Sequence, residues 1–154
     1  MSVVLADLAN PAHQAAIVDL LDMYCRDPFG DSRPLSTEAR AGMIAGLVKH
    51  GGARVFLAYA DGVPAGIAVC FLGFSTFKAQ PLLNIHDIAV APQFRGLGLG
   101  RQLLAAAEMH ARELGCCKVT LEVRADNMLA QQAYRQAGFQ STEPETWFWS
   151  RPLG

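Results

Sequence analysis

Three alternate glycines next to two arginines mark the most chemically suggestive part of this chain. They stand in the stretch HDIAVAPQFRGLGLGRQLL, residues 86–104, as Gly96, Gly98 and Gly100. Glycines tolerate positive φ and let a ligand approach the backbone, and the start of a helix presents unpaired N–H groups at its positive end. Because Arg95 and Arg101 add two full charges beside them, the turn predicts a site for phosphate or pyrophosphate.

Two familiar phosphate-binding patterns fit this turn poorly. A nucleotide P-loop needs Lys-Ser or Lys-Thr after its last glycine, whereas Gly100 is followed by Arg101 and Gln102. A dinucleotide fingerprint that starts at Gly96 needs a glycine where Arg101 stands. Glu122 does imitate the acid that binds a ribose in that fingerprint, so a dinucleotide-binding domain is one alternative, although too few βαβ units surround the turn.

Two linked motifs resemble those of the GNAT superfamily of acyl-CoA-dependent N-acyltransferases. QFRGLG matches the R/Q-x-x-G-x-G/A pattern of its motif A, and LEVRADNMLAQQAYRQAGF is similar to its motif B. The resemblance covers residues 54–139. It implies an enzyme, an N-acetyltransferase that moves an acetyl group from acetyl-CoA to an amine by direct attack in a ternary complex. A non-catalytic acyl-CoA sensor of the same fold is the second alternative.

The resemblance also implies which residues hold the cosubstrate. Amides of the turn would bind the pyrophosphate of coenzyme A, and backbone groups of the preceding strand would pair with its pantetheine arm. No metal is implied. The residues so assigned are Ile88, Ala89, Val90, Gln93, Phe94, Arg95, Gly96, Leu97, Gly98, Leu99, Gly100, Arg101, Asn127 and Tyr134.

Three side chains are candidates for the proton transfers of the reaction. By resemblance, Tyr134 is the general acid that protonates the departing thiolate. His86 and Asp87 are the candidate bases, and histidine suits the task because it titrates near neutral pH. Strand alternation predicts that His86 shares a face with Ile88 while Asp87 points the other way. A backbone N–H near Ile88 would stabilise the oxyanion.

The acceptor amine is not encoded in any motif, so a small molecule and a protein amine both stay open. By resemblance, the loop that holds Phe29 flanks the acceptor pocket. Asp27 and Asp31 share this loop, where they could attract a cationic amine or simply form a solvated surface. Homodimers are common in relatives, and the oligomeric state stays open.

Composition and pattern predict one cytoplasmic domain over residues 1–154. Half of the residues are apolar and the formal charge is −1, which disfavours a nucleic-acid binder, and no apolar run is long enough for a membrane span. The four cysteines show no zinc-like spacing.

The predicted fold is α/β (α+β): one mixed, mostly antiparallel sheet of about six or seven strands with a central splayed parallel pair, flanked by about four helices. Asn10 and Ser36 should cap helices, Asp61-Gly62 should form a hairpin turn, residues 73–81 should be loop, and TWFWS should be the last strand.

Overall fold

A five-stranded sheet lies at the centre of the computed structural model, which describes residues 1–142 and 144–153. The strands follow the order β1-β2-β3-β4-β5, and all neighbours are antiparallel except β4 and β5, which are parallel. The strands are β1 (Ser2–Leu5), β2 (Ala53–Ala60), β3 (Val63–Ser75), β4 (Gln80–Val90) and β5 (Val119–Leu121). The helices are α1 (Pro11–Arg26), α2 (Thr37–His50), α3 (Leu99–Glu113) and α4 (Met128–Gln136), and a 3₁₀ turn lies at Pro92–Phe94.

The two N-terminal helices begin where the sequence predicts. The Asn10 Oδ1 atom accepts the N–H of Ala12 at 2.9 Å, and the Ser36 Oγ atom accepts the N–H of Ala39 at 3.0 Å. Each bond satisfies one of the free N–H groups of a helix start. Both predicted caps are therefore confirmed. None of the helices within the described residues is long and apolar enough to cross a membrane.

The hairpin between β2 and β3 is confirmed, but the predicted loop after it is mostly strand. Asp61 and Gly62 have φ of 51° and 79°, the pair of positive values that a tight hairpin turn requires. The ladder between β3 and β4 then runs out to the pair Ser75 and Gln80, so only residues 76–79 connect the strands. The glycine and proline of residues 73–81 predicted a loop because the sequence of one segment does not show whether it pairs with a neighbouring strand.

The sheet carries an apolar core on each face. On one face α3 packs Leu99, Leu103 and Ala107 against residues such as Ala68 and Ile85. On the other face α1 and α2 pack against the alternate residues, including Leu57, Ile67 and Val69. Each fully buried Leu or Ile contributes roughly 1.5–3 kcal/mol relative to exposure, so both faces of the middle strands are firmly held.

The sheet is smaller than the sequence predicts. The mixed, mostly antiparallel sheet and the four helices are confirmed, but within the described residues TWFWS (residues 146–150) is not a strand. Trp147 and Trp149 are 75% and 82% exposed, and their rings stack at 6.5 Å. Alternating aromatic residues favour a strand, yet a strand also needs a partner. As a result the parallel pair lies at one edge of the sheet, not at its centre.

Candidate active site

A gap opens between the two parallel strands. β4 and β5 pair only over Leu83–Val119, Asn84–Thr120 and Ile85–Leu121. The Nδ2 atom of Asn84 donates to Thr120 Oγ1 at 3.0 Å, which ties the strands together just before they part. Beyond Ile85, β4 continues to Val90 while β5 has ended. One edge of β4 therefore borders a space that its neighbour does not fill.

A β-bulge lies at the point where the strands separate. Ile88 pairs with Ala68 and Asp87 with Val69, but the next pair toward the start of β4 is Ile85 with Cys70. His86 is thus an extra residue in β4 that has no paired residue on β3. A bulge bends its strand and increases the local twist. The bend occurs directly beyond the last pair with β5, so the bulge accounts for the opening of the gap.

Because of the bulge, the prediction that His86 shares a face with Ile88 is wrong. Ile85 and Ile88 both pack in the core beneath α3, whereas strict alternation would place them on opposite faces. The His86 ring contacts Phe71 of the opposite core at 5.6 Å between centroids. Asp87 pairs with Val69 of that same core. Both candidate bases therefore lie on the α1 face, and they do not point apart as alternation predicted.

Backbone groups of β4 alternate between β3 and the gap. The Ala91 N–H donates to Ala65 O at 2.8 Å, so the bonded pairs of this ladder include Ala89 with Ile67. The N–H and C=O groups of Ile88 and Val90 then face the gap, where a pantetheine arm could reach them. Those of Ala89 face β3, so Ala89 is not free to pair with a pantetheine arm.

The glycine turn after β4 has the backbone that its sequence predicts. Gly96 and Gly98 both have φ of 80°, and Gly98 is the N-cap of α3. A Cβ atom added at either position would meet no atom within 4 Å, so open space lies above both glycines. Gln93 and Leu97 are exposed beside them. Leu99 is 1% exposed, so its side chain belongs to the core and only its backbone borders the turn.

The two arginines of the turn differ in their surroundings. The Arg95 Nη2 atom bonds Asp27 Oδ2 at 2.8 Å and its Nε atom donates to Val90 O at 3.2 Å. Its guanidinium is therefore turned toward the end of α1. Arg101 is exposed in the first turn of α3. Of the two, Arg101 has its charge available to a ligand at the helix start.

Tyr134 lies half-buried against the α3 core, where its ring meets Phe139 at 6.1 Å. Burial, with a smaller contribution from nearby Tyr24, raises the pKa of Tyr134 to about 12. The hydroxyl is therefore protonated at neutral pH and can donate a proton. Burial also raises the pKa of Asp87 above its ordinary value, and the neighbouring His86 partly opposes that rise.

Tyr24 joins these groups, although its sequence position gives no sign of it. It stands on the apolar stripe of α1, where a tyrosine usually belongs to the core. Burial raises the pKa of Tyr24 first, and the charges of Asp87 and Asp27 raise it further. Tyr24 also raises the pKa of Tyr134, so Tyr24 lies within electrostatic range of Asp87, Asp27 and Tyr134 alike.

The remaining candidate, Asn127, caps α4. Its Oδ1 atom accepts the N–H of Ala130 at 3.1 Å, which satisfies one of the free N–H groups at the start of this helix. A surface groove of about 520 Å³ is lined by α1 residues, Asp27, Arg40 and Pro92, so it borders the Arg95–Asp27 pair, and another of about 590 Å³ lies around Phe139.

Comparison with known proteins gives one family and a consistent fold. The model of the Acetyltransferase (GNAT) family matches residues 15–139. An aminoglycoside N(6′)-acetyltransferase type 1 from Stenotrophomonas maltophilia is 35% identical over 98 residues, which are 61% of this chain and 64% of that protein. The chain therefore spans somewhat less than two thirds of the length of this relative.

Solved structures resemble the whole chain at low sequence identity. A probable acetyltransferase has a TM-score of 0.84 at 21% identity, and the alignment covers 100% of this chain and 99% of that one. The structure of AAC(6′)-Iy in complex with the bisubstrate analogue CoA-S-monomethyl-acetylneamine has a TM-score of 0.78 at 21% identity, with 98% of each chain covered. At these identities the likeness shows the fold.

Proposed function

The chain belongs to the GNAT acetyltransferase family, and from this premise we propose that it transfers an acetyl group from acetyl-CoA to an amine by direct attack. The observation that carries the proposal is the gap between β4 and β5, which lies beside the glycine turn at the start of α3. The gap can accommodate the thioester arm of the cosubstrate and the glycine turn can bind its diphosphate, and the two sites are adjacent because the turn directly follows β4.

The residues of the turn fit a diphosphate group. Backbone N–H groups at the start of α3 and the charge of Arg101 would hold it, and the positive φ of Gly96 and Gly98 keeps side chains out of the space above. The Ile88 backbone and the Val90 N–H would pair with the pantetheine arm, since the Val90 carbonyl already accepts a hydrogen bond from Arg95. Acetyl-CoA supplies an activated acyl group, and the protein supplies its orientation.

In the chemical step the amine nitrogen bonds to the thioester carbon and the carbon–sulfur bond breaks. The amine must lose a proton, and we assign that proton to Asp87, directly or through water. Asp87 is half-buried among the groups around the gap, whereas His86 is exposed beside Phe71. Tyr134 gives its proton to the departing thiolate, and the Ile88 N–H stabilises the oxyanion.

A cysteine nucleophile is not part of this proposal. Cys70 lies fully buried in the core, where burial raises the pKa of its thiol to about 12. A thiol is a poor nucleophile when it stays protonated. Cys70 is therefore unsuited to carry an acyl group, and the reaction as proposed needs no protein nucleophile.

Aminoglycosides are the acceptor class to test first, since a relative with 35% identity carries that name. Isothermal titration with acetyl-CoA, CoA and NAD tests the cosubstrate, and thiol release in the presence of aminoglycosides, polyamines and peptide amines tests the transfer. We expect the CoA compounds to bind and NAD not to bind. Binding without thiol release from any amine would favour an acyl-CoA sensor, and binding of NAD alone would overturn the proposal.

A further inference from the structure

The α1–α2 loop, residues 27–36, is fastened at two points to opposite sides of the gap. One fastening is an arginine that follows β4, and the other is an arginine that follows β5. The loop therefore bridges the mouth of the gap on the α1 face. Neither contact is needed to bind a diphosphate, so the contacts of the two arginines with the loop require a different explanation.

Arg95 makes the first fastening. Its guanidinium bonds Asp27 Oδ2 at 2.8 Å while its Nε atom donates to Val90 O at 3.2 Å. One planar group thus joins the loop to the free edge of β4. The Asp27 side chain is only 16% exposed, and the N–H of Phe29 and the Arg95 guanidinium lower its pKa, so it stays charged. This ion pair is better shielded than most surface pairs.

Arg124 makes the second fastening. It lies just beyond β5, where its Nη1 atom donates to Pro28 O at 3.5 Å and its Cζ atom stands 5.6 Å from the centre of the Phe29 ring. The second distance is within the range of a cation–π contact. Asp126 holds the same guanidinium by two bonds of 2.8 and 3.0 Å, which fixes its orientation.

The loop between these points is stiffened by its own backbone. Phe29 N–H donates to Asp27 Oδ1 at 2.9 Å, and Asp31 N–H donates to Cys25 O at 2.9 Å. A Cβ atom at Gly30 would overlap the carbonyl oxygen of Tyr24, so the loop is folded tightly onto the end of α1. A loop of this kind keeps its shape if its two fastenings hold.

Its position gives the loop a role in the reaction. Ile88 and Tyr134 pack on the core beneath α3, whereas Asp87 pairs with Val69 of the core on the α1 side. Tyr24, at the end of α1, is within range of the charges of both Asp87 and Asp27, so the loop begins close to the carboxylate that the proposed function makes the base of the amine. The fastened segment therefore borders the path of the amine.

We propose that Arg95 and Arg124 are positioning residues that clasp the α1–α2 loop as the wall of the acceptor path, and that Arg95 is not a ligand of the cosubstrate. The inference rests on the proposed function. It assigns to Arg95 a task different from the one that its place in the glycine turn suggests.

Arg95→Gln and Arg124→Gln test this, with Arg112→Gln as the matched control. Arg112 is also ion-paired, to Glu108 at 2.6 Å, but it stands at the far end of α3 with 77% of its side chain exposed. Each clasp variant should raise the acceptor KM about fivefold, the scale of an ion pair worth up to about 1 kcal/mol. The kcat and the Kd of acetyl-CoA should change by less than about twofold, and the control should match wild type.

A double-variant cycle separates a clasp from two independent effects. Asp27→Asn should raise the acceptor KM as Arg95→Gln does, and the double variant should be no worse than either single variant. A loss of acetyl-CoA affinity in Arg95→Gln with an unchanged acceptor KM would overturn the proposal, because Arg95 would then be a cosubstrate ligand. Fully additive effects would overturn it as well.

Hydrogen exchange keeps the test independent of activity. Amides of residues 29–33 should exchange about fivefold faster in both clasp variants than in Arg112→Gln. Equal exchange in all three proteins would show that the arginines do not hold the loop. If wild type acetylates no amine while exchange follows the clasp, the proposed function fails and the clasp stands.

Discussion

The glycine turn after β4 and the bulge within β4 stand at two ends of one short segment, yet they are encoded differently. The residue types determine the turn, since Gly96 and Gly98 adopt φ values that other residues rarely reach. Strand pairing determines the bulge, since His86 is unpaired only with respect to β3. Adding one side chain should therefore abolish the function of the turn, whereas removing one residue should abolish the bulge.

Gly98→Asp should produce the largest effect of any single substitution. The new side chain would enter the open space above the turn and repel a diphosphate, so acetyl-CoA binding should fall more than about a hundredfold, a change of about 2.7 kcal/mol. Isothermal titration measures this directly.

Gly115→Asp is the matched control for that variant. Gly115 ends the same helix with φ of 69° and equally open space around it. An aspartate is also less favourable there than at the helix start, because of the helix dipole. Normal affinity in a folded Gly98→Asp protein, or equal losses in both variants, would show that the turn is not the diphosphate site.

Deletion of His86 tests the other half of the comparison. Without this residue the ladder becomes regular while Ile85 and Ile88 keep their faces, so we expect a folded protein in which β4 no longer bends away from β5. Turnover should fall at least about a hundredfold because the gap narrows. Deletion of Asn84 is the contrasting control, since it would shift the register of the first part of β4 and flip its core residues. Full activity without His86 would mean that the bulge does not open the site.

Tyr134→Phe should lower turnover by roughly a hundredfold while the affinity for acetyl-CoA stays close to wild type. The ring keeps its packing against Phe139 and only the proton donor is lost. Because the pKa of Tyr134 is about 12, wild type should show no alkaline loss of rate from this group below pH 10, a limit of roughly two units under that pKa. Equal turnover in both proteins would leave Tyr134 a packing residue.

Asp87→Asn should slow the reaction roughly tenfold to a hundredfold and yet stabilise the fold. Burial raises the pKa of Asp87 in the folded protein. The protonated side chain therefore contributes favourably to the free energy of unfolding at acid pH, and this contribution is lost as pH rises through that pKa. Asparagine removes this loss, and the melting temperature near neutral pH should rise by about 2–4 °C, with little change at acid pH. His86→Gln should alter both quantities less. The reverse order would make His86 the base.

Arg101→Gln should give the smallest effect. It removes one exposed charge beside the turn, so acetyl-CoA should bind about fivefold more weakly at low salt and nearly as well as to wild type at high salt. A loss that does not depend on salt would indicate altered packing of α3.

The contrast also explains what could be predicted from the sequence. The turn, the caps at Asn10 and Ser36 and the Asp61-Gly62 hairpin follow from local chemistry, and all are present. That His86 shares a face with Asp87 and not with Ile88 depends on one unpaired residue in the ladder with β3, and no local sequence pattern indicates this bulge. Tyr24 and the partnership of Asp27 with Arg95 arise from tertiary packing between distant segments. The predicted strand at residues 146–150 is absent because alternating residues form a strand only when they can pair with the edge of a neighbouring strand.

The most direct test of the account follows the acetyl group itself. The protein is incubated with isotopically labelled acetyl-CoA and an aminoglycoside, a polyamine or a peptide amine, and both the acceptor and the intact protein are then analysed by mass spectrometry. We predict label on an amino group of the acceptor and none on the protein at any time. Label on a cysteine during turnover, or no label on any of the aminoglycosides, polyamines and peptide amines in the presence of bound acetyl-CoA, would contradict direct transfer across the gap between β4 and β5.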